Sequence, residues 1–181
     1  MVKAGKKTGT VFGSRDVSNL LGMTIGEFLV KYKPPSTHYI IARRGTKLYN
    51  VLKAIAIGHP IFIVVVDENR RPIGYITEVD LIKTFSRKPR FSYFIAGFNL
   101  TKLSIPIEQA LNIPVEKIME KRPVVVKENE KISDILNIVH GLHVPSIIVV
   151  DDKGRIKSVI TASFLVRALL RSLLGEPLSI T

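Results

Sequence analysis

The chain is 181 residues long, room for one ordinary domain or two small ones, and 46% of it is apolar, which excludes disorder throughout. Its 27 Lys and Arg against 15 Asp and Glu give a net charge of +12, so polyanions are attracted, without a choice among nucleotides, nucleic acid and acidic membranes. With no cysteine, disulfides, thiolate metal sites and cysteine nucleophiles are excluded together, and no apolar run of about eighteen residues reads as a membrane span.

Residues 1–20 carry Lys3, Lys6, Lys7 and Arg15 against Asp16 and read as a partly mobile basic tail. No apolar stretch follows the basic start, so it is not a secretory signal and a cytoplasmic location is expected. A first unit, 21–86, then opens with Ile25-Gly26-Glu27-Phe28-Leu29. A strand follows at Tyr39-Ile40-Ile41-Ala42, then a helix with Leu48, Val51, Leu52 and Ile55 at helical spacing. Ile63 to Val66 reads as a buried strand, Asp67-Glu68-Asn69-Arg70 as a polar turn, and Ile73 to Thr77 as a second strand. A helix from Val79 to Phe85 closes the unit.

Residues 87–113 form a basic, aromatic connection with Phe91, Tyr93, Phe94 and Phe98, and no acid occurs between Asp80 and Glu108. It reads as an ordered linker docked on the core, or alternatively as a surface that stacks bases and holds phosphates. A second unit, 114–175, repeats the first, and 176–181 is a short tail. Ile147 to Thr161 matches Ile63 to Thr77 without a gap, 84 residues later. Lys131-Ile132, Leu136, Val139 and His143 pair at the same offset with Lys47-Leu48, Leu52, Ile55 and His59. Each copy therefore reads strand–helix–strand–strand–helix, an α/β unit of about 50–60 residues that is marginal alone and should pack on its twin. The last helix, Phe164 to Leu174, is apolar over most of its circumference and is expected to be buried or paired with another chain. Abundant Ile, Val, Lys and Arg with a single Gln suggest a heat-adapted composition.

Val115 to Met119, Pro123 to Val126, the helix from Ile132 and Val149-Val150-Asp151-Asp152-Lys153-Gly154 together resemble a cystathionine-β-synthase (CBS) domain, and the first copy is a more divergent version of it. The resemblance implies a stand-alone CBS pair, two β-α-β-β-α units packed with pseudo-symmetry, commonly a homodimer joined through its helices. It implies regulation rather than catalysis: a ligand containing adenosine (AMP, ADP, ATP or S-adenosylmethionine) is sensed and a separate, unidentified protein partner responds. No cofactor is required. The family's ligand motif, Gly-h-h-Thr-x-x-Asp with h apolar, is complete at Gly74-Tyr75-Ile76-Thr77-Glu78-Val79-Asp80. By that resemblance Thr77 faces phosphate, Asp80 accepts the ribose hydroxyls, and Thr37, Tyr39, Ile40, Ile61 and Phe62 surround the base. The same Thr-x-x-acid pattern is also a helix capping box.

Two departures matter. The second copy has Phe164 where the ribose acid would sit, which leaves mainly the first copy for a ligand. The His-Arg pair that some relatives place before the second strand is replaced by Ile61-Phe62 and Pro145-Ser146, so phosphate charge falls to Arg43, Arg44 or a basic residue of the other copy. His140 and His143 stand three apart without a third ligand nearby, and the acid pairs Asp67-Glu68 and Asp151-Asp152 sit in turns; no metal site or catalytic constellation is expected. Nucleic-acid association through the basic tail and linker, or a purely structural dimerisation module, are the rival readings.

Overall fold

The computed structural model describes residues 14–58, 62–86 and 107–174. Helices α1 (Ser14–Gly22) and α2 (Ile25–Tyr32) lead into strand β1 (Tyr39–Arg43), helix α3 (Leu48–Gly58), strands β2 (Phe62–Val66) and β3 (Pro72–Thr77), and helix α4 (Glu78–Ser86). The second half follows with α5 (Ile107–Leu111), β4 (Val125–Lys127), α6 (Ile132–Leu142), β5 (Ser146–Val150), β6 (Ile156–Thr161) and α7 (Ala162–Leu174). Each half holds a three-stranded sheet, ordered β1-β2-β3 and β4-β5-β6, with its first two strands parallel and the last two antiparallel.

The central strands explain their own composition. Every residue of β2 and of β5 is buried. Alternate side chains of a strand point to opposite faces, so a strand covered on both sides must be apolar at every step. Ile63 and Val65 pack with Leu48, Val51 and Ile76 on the helix side of the first sheet, and Ile147 and Val149 do the same in the second half with Ile132, Ile135 and Ile160. The opposite faces meet each other: Phe62, Val64 and Val66 pack against Ile148, Val150, Ile156 and Val159. The two sheets thus share one apolar layer, as two units too small to stand alone require.

The halves also exchange their leading segments. Leu20, 1% exposed, and the fully buried Ile25 and Phe28 of α1 and α2 belong to the core of the second half, alongside Val126, Ile135, Leu165 and Ala168. Reciprocally, Val115, Ile118 and Met119 pack into the core of the first half. Matching backbone bonds mark the two crossings. The Ile25 N–H donates to the Glu130 carbonyl and the Ile132 N–H to that of Met23; in the other half, Val115 donates to Thr46 and Leu48 to Ile113.

One expectation is corrected here. Residues 14–20, read as part of a partly mobile tail, begin a helix that packs on α6 and α7. Residues 107–111 of the connection form α5 against α3 and α4, with Ala110 buried. The remainder of that tail, 1–13, and of the linker, 87–106, lies outside the described residues.

The hairpin turns confirm why each opens on aspartate. Asp67 accepts the N–H groups of Asn69 and Arg71, and Asp151 those of Lys153 and Arg155, the side-chain-to-backbone bonding that aspartate supplies in turns. Both turns need a left-handed residue. The second half uses Gly154 (φ 75°), whereas the first places Arg70 there (φ 63°). The left-handed region costs a side-chain-bearing residue about 1 kcal/mol. Arg70→Gly is therefore expected to raise the thermal midpoint by roughly 2–4 °C, measured by calorimetry, with no change in ligand affinity.

Candidate functional site

The first half's Thr77 and Asp80 lie where β3 passes into α4. Register aligns Tyr39 with Phe62 and Phe62 with Thr77 across the three strands, so one row at the end of the sheet carries three of the residues singled out from the sequence. Tyr39, Phe62 and Tyr75 all face the inter-sheet layer, where Phe62 and Tyr75 stack with ring centroids 5.2 Å apart. Burial pushes the Tyr39 and Tyr75 hydroxyls above their usual range.

Asp80 is only 7% exposed, yet its carboxylate is well supplied with donors. Oδ2 accepts the Thr77 N–H at 3.0 Å and the Thr77 hydroxyl at 2.7 Å; Oδ1 accepts from Lys83 Nζ at 3.2 Å. The Asp80 N–H donates back to Thr77 Oγ1 at 3.4 Å. Burial opposes ionisation, but the bonds from Thr77 and Lys83 outweigh it and hold Asp80 below the usual carboxylate range. The result is a capping box closed by an aspartate, in which the anion sits at the positive end of a helix. Thr77 and Asp80 therefore stabilise the start of α4, and the second carboxylate oxygen of Asp80 faces the exposed Lys83.

Gly74, at the head of the same motif, has a packing reason of its own. Residues 119–120 cross from the second half and pair with β3: the Tyr75 N–H donates to Glu120 at 3.0 Å and the Glu120 N–H to Tyr75 at 2.8 Å. A Cβ on residue 74 would stand 2.7 Å from the Glu120 carbonyl oxygen and run into the Met119 side chain. The crossing segment walls a cavity of about 520 Å³ lined by Tyr75, Met119, Glu120, Lys121 and Arg122. Burial, and then the charges of Glu120 and Asp80, push the Tyr75 hydroxyl up. Lys121 and Arg122 escaped the reading of the sequence as site residues; their only signal was two adjacent bases ahead of Pro123.

One expectation changes. Ile40 points away from the row, into the first half's core with Ile63 and Ile76, because neighbouring strand residues cannot share a face. Arg43 pairs with Val66 at the far end of β1. Four strand steps, roughly 13 Å, separate its backbone from the Thr77 row. Ile61 and the side chain of Thr37 lie outside the described residues.

In the second half the Thr161 hydroxyl accepts the Phe164 N–H at 3.1 Å and meets Ser163 Oγ at 3.0 Å, so the helix cap persists without an acid. Phe164 packs edge-on against Phe28, centroids 5.9 Å apart, tying α7 to α2. His143 ends α6 in the left-handed conformation (φ 52°). Among the described residues no His/Cys/Asp/Glu group could hold a metal ion, and no helix is long and apolar enough to cross a membrane.

Comparison with known proteins agrees with this architecture. The family model described as the CBS domain matches residues 26–87 and 115–171. An uncharacterized protein of Methanocaldococcus jannaschii, MJ1225, is 28% identical over 122 residues; the match covers 67% of this chain but only 40% of that relative. Among solved structures, a CBS domain-containing protein from Bacillus anthracis is similar with a TM-score of 0.64 at 15% identity, covering 85% of this chain and 97% of that one. CBSX2 in complex with AMP is similar at 0.61 with 21% identity, covering 83% and 98%. The cytosolic domain of the Mg2+ channel MgtE, in complex with ATP, gives 0.53 at 20% identity over 72% and 45%.

Proposed function

The chain belongs to the CBS-domain family, and on that premise we propose that it senses an adenosine-containing ligand (AMP, ADP, ATP or S-adenosylmethionine) mainly through its first half and signals to a separate partner. Paired CBS domains commonly act as regulatory adenosine-binding modules and typically perform no chemistry. The observation that carries the reading is the buried Asp80 carboxylate bonded to Thr77 at the start of α4, with a cavity of about 520 Å³ on Tyr75 of the preceding strand, within the usual size range of small-ligand sites.

In this reading Asp80 exchanges Lys83 for the ribose hydroxyls, a carboxylate being able to accept both at once. The base lies towards Tyr39 and Tyr75. Lys121 and Arg122, contributed by the second half, meet the phosphate, so occupancy would be felt at the crossing between the halves. Exposed Val79 and Ile82 on α4 and Val166, Leu170 and Leu174 on α7 supply the apolar surface for a homodimer.

Calorimetric titration with AMP, ATP and S-adenosylmethionine tests the proposal. At least one is expected to bind through one Asp80-dependent site per chain, and Asp80→Asn, which keeps an oxygen for the helix cap, should weaken it at least roughly tenfold. Absence of heat with all three up to about a millimolar would overturn the reading.

A further inference from the structure

The Asp80–Lys83 ion pair joins two unequal partners: the aspartate side chain is 9% exposed and the lysine side chain 61%. The two carboxylate oxygens also have different duties. Oδ2 takes the Thr77 N–H at 3.0 Å and the Thr77 hydroxyl at 2.7 Å, which closes the cap of α4. Oδ1 takes its hydrogen bond from Lys83 Nζ at 3.2 Å.

The second half shows what the cap needs. At the 84-residue offset Phe164 stands for Asp80 and Arg167 for Lys83. Thr161 Oγ1 accepts the Phe164 N–H at 3.1 Å there and α7 runs for 13 residues, so starting the helix requires neither the acid nor the ion pair. Arg167, the sixth residue of α7, lines the cavity beside Tyr32 and Phe164. Lys83 is likewise the sixth residue of α4, but it is drawn onto Asp80. A buried carboxylate is costly unless charge and hydrogen bonds compensate it, and Lys83 supplies the charge.

We infer that Lys83 is a built-in competitor for the first half's site: it holds the carboxylate oxygen that a ribose diol needs, and so lowers the affinity of any ligand that docks through Asp80. The inference rests on the adenosine reading of that site. An ion pair with one exposed partner is weak, so the contact attenuates binding without blocking it. The flexible lysine stem lets the ammonium leave Oδ1 without backbone movement. The contact also gives the site a salt response of unusual sign. Salt screens the competing pair, so a neutral ligand bearing the diol binds more tightly as salt rises, the reverse of a ligand held by its phosphates.

Adenosine, titrated calorimetrically, is the probe, since it carries the diol and no phosphate. Lys83→Met should bind it about three- to fivefold more tightly than wild type at about 50 mM salt, and the gap should close towards about 1 M. Lys83→Arg, which offers Oδ1 another donor, should return the affinity to within about twofold of wild type. The side chain is largely exposed, so both variants are expected to fold. Equal or weaker binding by Lys83→Met, or a gain that persists at high salt, would overturn the inference and leave an Asp80-dependent site in place. So would binding of AMP with adenosine undetected in both proteins up to about a millimolar, because freeing Oδ1 would then bring the diol nothing. No heat from adenosine, AMP, ATP or S-adenosylmethionine with either protein would sink the adenosine reading and this inference with it.

Discussion

Replacing Phe28 with alanine is expected to destabilise the protein by about 3–5 kcal/mol, a large share of a typical domain's total stability. The side chain is fully buried and contacts both Tyr32 and Phe164, so its loss opens a cavity that the neighbours fill only in part. The informative feature is where the damage appears. Phe28 precedes the first sheet in the chain, but its core is that of the second half, with Ile147, Val149 and Leu165. Hydrogen exchange should therefore accelerate most in β5 and α7, and urea unfolding should shift as a whole. A loss below about 1 kcal/mol, or fraying of α1 and α2 with β5 still protected, would contradict the exchanged packing.

Gly74→Val is expected to cost about 2–3 kcal/mol and to impair the first site at the same time. The new side chain has no room between β3 and the segment carrying Met119 and Glu120, so that segment must lift, breaking the two Tyr75–Glu120 backbone bonds and displacing Lys121 and Arg122. Ser158→Val, at the equivalent place in the second half, is the control. Ser158 already accommodates a side chain, and a change under about 1 kcal/mol is expected. Equal effects at both positions, measured by urea unfolding, would sink the explanation. Stability loss with unchanged adenosine-ligand affinity would detach the crossing segment from binding.

Much of the fold was legible because it rests on local pattern and repetition. Strands β2 and β5 are buried throughout and apolar except at Ser146, each is followed by an aspartate turn, and the 84-residue offset carried the helix positions from one half to the other. The site was legible as a motif, but not as an arrangement. Tyr39 and Ile40 are adjacent in sequence and turn to opposite faces, a matter settled by register with β2. The reach of Lys121 and Arg122 to Tyr75 depends on a crossing between halves that no periodicity encodes. Helix α1 was missed because its nine residues are short and polar on balance, and the Leu20 that anchors it finds its partners far along the chain. What each leading segment docks against is a long-range property.

That exchange sets a timetable for biosynthesis. Helices α1 and α2 leave the ribosome well before α7, part of their resting place, which is made roughly 140 residues later. At about 5–20 residues per second, the apolar faces carrying Leu20, Ile25 and Phe28 wait roughly 7–30 s for their cover. The first half cannot be completed as the nascent chain grows, since Val115, Ile118 and Met119 of its own core also arrive late. Folding is thus deferred until α7 has been made, and for that interval an exposed amphipathic segment is available to a chaperone or to a neighbouring nascent chain.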